Sequence, residues 1–418
     1  MIYESASSGP GEQFRLSRIR PDVPRANMVS PTTHYSAPMW NVPQPQHFRL
    51  PRFETSIITV SAICIALSIY GYISLSDAST TAYLAFLASF PLVVVLGFFI
   101  HLDRHEPEPL WTKSVAFVWG AGVAIVGASV LNSALLLNAT LVLGDEMEAM
   151  RWTAVYVAPP VEETLKALGV LFIILARRST IHSLIDGIVY AGFSGAGFAF
   201  IENIQYFLQA SQEGSAALTV TVILRGVFSP FLHPMATSFT GLALAFALIR
   251  IRSWLPRTIV SLLGLTIAMY VHGLWNYAGT SEAASFITNY LFVEIPLFVG
   301  WMIVLTWISR RELKTVREGL IPYVQAGWVL PAEVVMVSEK AGRRTAMNWV
   351  KPAGKDAQKA MRRFLSNLAA LGLDQKLQER LGADDSRIEL DRQLVAQVSQ
   401  DRQFFLNAMT QTTLNNAR

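Results

Sequence analysis

The sequence predicts an all-α, polytopic membrane protein: a helix bundle of about eight transmembrane helices followed by a cytosolic helical C-terminal tail. Hydrophobic residues make up 52% of the 418 residues and charged residues only 15%. The mean hydropathy is +0.37, which is too high for a soluble chain of this length. The apolar residues gather in runs of roughly 20, the number that a helix needs to cross about 30 Å of hydrocarbon.

Eight apolar runs predict the transmembrane domain, residues 53–309. The sixth run is expected to be kinked or broken, because Pro230 and Pro234 each remove a helical hydrogen bond. Residues 1–52 are polar and proline-rich, which predicts a disordered cytosolic tail. Residues 310–418 have ordinary polarity and helical patterning, which predicts a cytosolic helical region. The eight runs lie near 56–76, 82–101, 114–143, 150–176, 183–209, 217–249, 257–276 and 285–308.

The distribution of basic residues predicts the orientation of these spans. Cytoplasmic loops carry an excess of lysine and arginine, and alternate loops here are basic while the others contain almost only Arg151. Both termini are therefore predicted to be cytoplasmic. The net charge of +4 is attributed to this orientation signal, so nucleic acid is not expected as a partner. The basic stretch 340–363 either lies on an anionic inner leaflet or is a solvated face.

The fourth span carries charged residues where an apolar helix should have none. Glu162 lies about 12 residues, or about 18 Å, from the outer end of this span, and Glu163 follows it directly. Lys166 can pair with either glutamate on one helical face, and the other carboxylate would then face a cavity as a general base. Spacing leaves open which glutamate has which role. A structural ion pair between helices is the alternative interpretation.

Polar residues also occur in the next three spans. Glu202 and Asn203 lie in the outer half of span five, His233 lies between two prolines of span six, and His272 shares a face with Asn276 in span seven. A single membrane histidine is usually a hydrogen bonder between helices. Four consecutive spans with such groups at similar depth instead predict one polar site, since intramembrane charges are costly and are usually functional.

The order of these motifs resembles the PrsW-type intramembrane proteases, distant relatives of the membrane CAAX-prenyl endopeptidases. The motifs cover roughly residues 80–310. The resemblance implies hydrolysis of a peptide bond in a membrane-anchored protein, such as a regulatory anti-sigma-like factor, within or beside the lipid bilayer. In chain order the motifs are Glu162-Glu163-x-x-Lys166, Gly197-Phe198-Ala199-Phe200-Ile201-Glu202-Asn203, the isolated His233, and His272-x-x-Trp275-Asn276.

The resemblance also implies roles for single residues. Glu162 would be the general base that activates water, and Glu163 and Lys166 would hold its orientation and charge. His233 and His272 would be oxyanion stabilisers or metal ligands, with zinc or another divalent metal as the cofactor. The supporting pocket would contain Glu202, Asn203 and Asn276, and the candidate metal ligands are Glu202, His233 and His272. A metallo-mechanism and a glutamic mechanism both stay open.

Two other functions compete with proteolysis. Intramembrane acids and histidines also serve as relays in proton- or cation-coupled transporters. Such transporters usually have inverted repeats, but the first four spans of this sequence do not match the last four. A non-catalytic membrane scaffold that retains the pocket is the third possibility. Flux that depends on Glu162 without proteolysis would favour the transporter, and strong mutational effects confined to the C-terminal tail would favour the scaffold.

Overall fold

The computed structural model describes residues 52–382 and 385–416, and every helix in these ranges supports the predicted all-α class. The proline-rich segment predicted to be a disordered tail lies outside the described residues, except for Arg52, where the first helix begins. The membrane helices are α1 (Arg52–Leu75), α2 (Ala78–Leu102), α3 (Leu110–Leu143), α4 (146–176), α5 (Leu184–Glu213), α6 (Ser215–Ile223), α7 (Leu232–Arg250), α8 (Trp254–Gly279) and α9 (283–319).

Seven helices in the described part of the chain are long and apolar enough to cross a membrane. They correspond to seven of the eight predicted spans, with α6 and α7 as two parts of one span. The remaining predicted span, 150–176, falls in α4. This helix is also long enough, but Glu162, Glu163 and Lys166 lie in its apolar stretch. Helix α4 thus differs from the seven apolar helices in its charged residues and not in its length.

One compact unit contains the described residues up to 104 together with residues 108–308, and α5 lies at its centre. Buried positions make up 83% of the most apolar stretch of α5. A Cβ at Gly195 would lie 2.8 Å from the backbone of His233 and Pro234, and one at Gly197 would meet the backbone of α3. These two glycines therefore face α7 and α3. This close packing holds α7 against α5 near His233.

The sixth predicted span is broken, as its prolines require. Helix α6 passes into a π-helical turn, Leu224–Phe228, and the helical pattern stops before α7 begins at Leu232. Pro230 lies in this gap, where it costs no helical hydrogen bond. The break places His233 in the first turn of α7, inside the bundle, because a broken helix in a membrane is stable when protein surrounds it.

The second compact unit contains the described part of 309–418 and residues 105–107. Its helices after α9 are α10 (Ile321–Gln325), α11 (Pro331–Ser338), α12 (Lys340–Val350), α13 (Lys355–Leu381) and α14 (Asp385–Asn416). They enclose an apolar core that includes Leu320, Tyr323, Phe364 and Leu368. Arg402 crosses this unit to pair with the buried Glu333 at 2.7 Å. The C-terminal region is therefore a folded helical unit with its own core.

Candidate active site

The carboxylates of α4 follow a local change in its helical pattern. Residues Thr153–Val157 form a π-helical turn, in which the amide of Ala158 donates to the carbonyl of Thr153. The Ala154 carbonyl then has no helical donor, because the amide of Ala158 is already used and the next residue is Pro159. The side-chain amide of Asn276 donates to this carbonyl at 2.8 Å. Asn276 therefore satisfies the backbone of α4 about two turns before the glutamates.

Helix α4 continues through the π-helical turn and past Pro159 and Pro160 into the α-helical turns that carry Glu162, Glu163 and Lys166. All three side chains are buried. Burial of three charged groups in a membrane bundle is costly unless they pair with one another or with other polar groups. Their partners therefore decide what the cluster can do.

Glu163 is fully engaged by its neighbours. Its Oε1 accepts a hydrogen bond from the Lys166 ammonium at 2.8 Å and lies 3.0 Å from His272 Nδ1. Its Oε2 accepts a hydrogen bond from the Thr237 hydroxyl at 2.8 Å. Glu163, Lys166 and Thr237 are each fully buried. Glu163 thus connects helices α4, α7 and α8 and fixes the His272 ring, so it has no oxygen left for a reacting molecule.

Glu162 differs from its neighbour in having an oxygen without a hydrogen bond. Its Oε1 accepts a hydrogen bond of 3.3 Å from the Asn132 amide on α3. Its Oε2 is buried with no hydrogen-bond partner among the described residues. The nearest polar atoms to Oε2 include Lys166 Nζ at 3.5 Å and His272 Nε2 at 3.8 Å. A buried carboxylate oxygen without a hydrogen bond is unfavourable unless it binds a proton, a water molecule or a cation.

The two histidines lie face to edge, with ring centroids 4.8 Å apart and planes at 87°. Each ring has a carboxylate on one nitrogen: Glu202 lies 2.7 Å from Nε2 of His233, and Glu163 lies 3.0 Å from Nδ1 of His272. Lys166 Nζ lies 2.9 Å from Nδ1 of His233. Nε2 of His272 faces Glu162. Each ring is therefore oriented by a carboxylate on one nitrogen.

Glu202 and Asn203 are tied to Arg225 in the π-helical turn after α6. The Arg225 guanidinium pairs with the Glu202 carboxylate, and its Nε donates to the Asn203 side-chain oxygen at 2.6 Å. The guanidinium also lies 4.1 Å from the centre of the Tyr206 ring. Arg225 is the counter-charge of this site and does not reach out to the membrane surface.

The charges of the cluster do not balance. Three carboxylates, Glu162, Glu163 and Glu202, face two cations, Lys166 and Arg225, so the sum is one negative charge when both histidines are neutral. Lys166 is further held against the Phe198 ring, 3.9 Å from its centroid. An excess negative charge in a low-dielectric site favours the uptake of a proton or a metal cation.

Three of these residues could hold a metal ion. One donor atom each from Glu162, His233 and His272 lie within 4.8 Å of one another, and all three residues are buried. Imidazole and carboxylate are ordinary zinc ligands, and a carboxylate on the second nitrogen of each histidine is typical of metal-binding histidines. The unpartnered Oε2 of Glu162 also fits a ligand. Both nitrogens of His233 face other groups, Glu202 and Lys166, so one of these contacts would have to open for His233 to bind a metal.

The structure brings together all eight residues predicted for the site, but with unequal functions. Glu202 pairs with Arg225 and is absent from the three-residue ligand group, where Glu162 stands instead. Asn276 and Asn203 bind a backbone carbonyl and Arg225, respectively. Sequence reasoning missed Asn132 as a partner of Glu162. Asn132 could have been identified because it is an asparagine in an otherwise apolar run of α3.

Comparisons with known proteins agree with the resemblance carried by the four motifs. Residues 108–306 match the family model described as PrsW family intramembrane metalloprotease. The Protease PrsW of Clostridioides difficile (strain 630) is 32% identical over 149 residues, which cover 36% of this chain and 59% of that protein. No solved structure matches the chain. The resemblance to PrsW-type proteases is thus confirmed for the segment that contains the polar cluster.

Proposed function

From the match of residues 108–306 to a family of intramembrane metalloproteases, we propose that this chain is an intramembrane endopeptidase. It hydrolyses a peptide bond of a membrane-anchored protein at the cluster on α4, α5, α7 and α8. Oε2 of Glu162, which accepts no hydrogen bond from the described residues, carries this proposal, because a buried carboxylate oxygen beside an ammonium and an imidazole can take a proton from a water molecule. A regulatory anti-sigma-like factor is the substrate that the family resemblance implies.

Glu162 is the general base of the proposed reaction. Oε2 accepts a proton from water while the water oxygen attacks the scissile carbonyl, and the protonated carboxyl then gives this proton to the leaving amine. Asn132 holds the other oxygen of Glu162, which fixes the direction of Oε2. Glu163 is held by three hydrogen-bonding partners, Lys166, Thr237 and His272, so the two adjacent glutamates have different roles.

The cations and imidazoles of the cluster stabilise the negative charge that develops on the substrate carbonyl oxygen. Lys166 Nζ lies 3.5 Å from Glu162 Oε2, and it contributes a fixed positive charge in a site of low dielectric constant. Glu163 orients His272 so that its Nε2 faces Glu162, while His233 is held between Glu202 and Lys166 and positions Lys166. Arg225 and Thr237 act through these carboxylates and are positioning residues.

A divalent metal such as zinc would give the site a second mode of action, in which Glu162 would be a ligand and not the free base. Glu162, His233 and His272 would hold it. Bound there, the metal would supply Lewis-acid chemistry, polarising a carbonyl and activating water. Glu163 and Glu202 would then fix the histidine rings from behind. Elemental analysis of the purified protein measures this part independently of activity, and a metal content that falls in His272→Ala identifies the ligand set.

The experiment for the proposed function uses the full chain in liposomes with a single-span test substrate. Glu162→Gln should lose cleavage because the amide cannot accept the proton, and His233→Ala should lose it because it removes an imidazole from the site. Glu148→Gln, an exposed position at the start of α4, is the matched control and should cleave at the wild-type rate. Undiminished cleavage by folded Glu162→Gln overturns the assignment.

A further inference from the structure

A second buried acid lies apart from the polar cluster, in the span formed by α9. Glu294 is at the end of a π-helical turn, Tyr290–Glu294, and is 6% exposed. Its Oε1 has no hydrogen-bond partner among the described residues. An acid inside a membrane span is rare without a partner or a function, and π-helical turns are frequent at functional sites.

Glu294 lines a groove of about 270 Å³. One wall is the irregular segment between α6 and α7, residues 227–231, and the opposite wall is the π-helical turn of α9. The groove thus lies between two segments where regular helix is interrupted. This volume is just below the range of about 300–1,000 Å³ for small-molecule sites in proteins, which suits one side chain rather than a large cofactor.

Aromatic rings surround the acid in this groove. Phe228 and Tyr290 have ring centroids 5.0 Å apart, Phe231 and Phe298 5.6 Å apart, and Trp275 and Tyr290 6.3 Å apart. The negative faces of aromatic rings attract organic cations, and this attraction strengthens when water is excluded. A carboxylate without a partner inside such a set of rings is complementary to a cationic group with an apolar stem.

Several residues that line the groove are close in sequence to the proposed catalytic histidines. Leu232 and Met235 line it and lie on either side of His233 in the first turns of α7. Trp275 lines it from α8, three residues after His272. A substrate segment whose scissile bond lies at the histidines therefore has the groove within the reach of a nearby side chain.

We propose that this groove binds a lysine or arginine side chain of the membrane-anchored substrate, with Glu294 as its counter-charge. The inference rests on the proposed function and adds the substrate class: proteins with a basic residue inside or near the outer half of their span. Such a residue is unfavourable in lipid, so transfer to Glu294 and its aromatic rings favours docking. The long apolar stems of lysine and arginine fit the apolar walls.

Depth distinguishes a substrate side chain from a lipid amine headgroup, which has similar chemistry. Glu294 is 11 residues after Ala283, where the helix begins, or about 16 Å at 1.5 Å per residue. That distance is about half of the roughly 30 Å hydrocarbon core. Headgroup amines stay at the membrane surface, whereas a side chain of a transmembrane substrate is carried to this depth by its own helix.

The test uses full-length protein in liposomes and a set of single-span peptides in which one lysine is moved residue by residue through the outer half. Each peptide is paired with a version that has methionine at the same position. We expect a kcat/KM at least about 30-fold higher for the best lysine peptide than for its methionine version, from the range for losing one partner of a buried charge pair. Glu294→Gln should reduce this preference to below about threefold.

The glutamine variant keeps hydrogen bonding and removes only the charge, and Glu282→Gln, an exposed position just before α9, is the control that should keep the full preference. A preference for lysine that survives in Glu294→Gln overturns the inference, and so does equal cleavage of both peptides by the wild type. A rate that instead follows the phosphatidylethanolamine content of the vesicles, for peptides without lysine, assigns the groove to lipid.

Peptide binding separates this inference from the proposed function. The dissociation constants of the same peptide pairs are measured by tryptophan fluorescence in the Glu162→Gln background. If no peptide is cleaved by the wild type but lysine peptides still bind about 30-fold more tightly through Glu294, the protease assignment fails and the cation site stands. If cleavage occurs without a lysine preference in either rate or affinity, the cation site fails and the protease assignment stands.

Discussion

Thr237 offers a sharp test of the polar cluster, because α7 carries a matched control. The Thr237 hydroxyl donates to Glu163 Oε2 at 2.8 Å, and both side chains are fully buried. Thr240, one turn later, is equally buried, but its hydroxyl has no partner among the described residues. Thr→Val keeps the side-chain shape at both positions and removes one hydroxyl. Only the Thr237 variant removes a hydrogen bond to a charged group.

A hydrogen bond to a charged group contributes about 1.5–3 kcal/mol, which corresponds to a factor of about 10–150 in an equilibrium or rate constant. Thr237→Val should lower the free energy of unfolding by this amount. It should also lower kcat/KM by up to this factor, because a shifted Glu163 no longer holds the His272 ring. Thr240→Val should be neutral or slightly stabilising, since it removes an unpaired buried hydroxyl.

The measurements are thermal unfolding in detergent and cleavage of the single-span substrate, with Thr237→Ser as the variant that restores a hydroxyl. We expect Thr237→Ser to recover most of the wild-type kcat/KM. Equal stability and equal activity of Thr237→Val and Thr240→Val would refute the reasoning, since the bond to Glu163 would then contribute nothing.

Three further substitutions test separate parts of the site. Asn276→Ala leaves the Ala154 carbonyl without its donor, and thermal unfolding should show a loss of about 1–3 kcal/mol; unchanged stability would contradict this role. Arg225→Met leaves Glu202 buried without its cation and should lower the free energy of unfolding by about 3–5 kcal/mol. The double variant Arg225→Met, Glu202→Gln should recover much of this stability. A double variant no more stable than the single one would contradict the ion pair. His272→Ala should lower the metal affinity by at least about 10–100-fold, since removal of a partner that only orients a ligand already has an effect of this size. The metal content after dialysis measures this loss, and an unchanged content would exclude His272 as a ligand.

Much of the membrane fold could be predicted from the sequence, because the bilayer imposes one simple requirement on every span. Runs of about 20 apolar residues coincide with seven membrane helices in the described part of the chain. The break at Pro230 was also predictable, since proline cannot donate a helical hydrogen bond. The cytoplasmic position of both termini stays a prediction from the basic loops.

The members of the polar cluster were predictable because a charged or imidazole side chain in an apolar run is conspicuous. Their pairing was not. Glu162 and Glu163 are adjacent, and Lys166 is within reach of both, so spacing could not separate their roles. Contacts from Thr237 on α7 and His272 on α8 separate them, and such contacts depend on how the helices pack.

Two other features could not be obtained from local sequence. Asn276 bonds to a carbonyl on another helix, and that carbonyl is free only because the hydrogen-bond pattern of α4 changes before Pro159. Arg225 was equally compatible with a counter-charge and with an outward position, since its stem is long. Glu294, by contrast, was an acid in an apolar run and should have been identified by the same rule that found Glu162.

The role of Glu162 as the base is the central claim, and the rate of substrate cleavage by Glu162→Gln in liposomes tests it most directly. The reference is Glu148→Gln, which makes the same chemical change on the same helix at an exposed position. Loss of a general base should lower kcat by about 10²–10⁴-fold, with thermal unfolding near that of the wild type. A folded Glu162→Gln protein that cleaves as fast as Glu148→Gln would contradict the account.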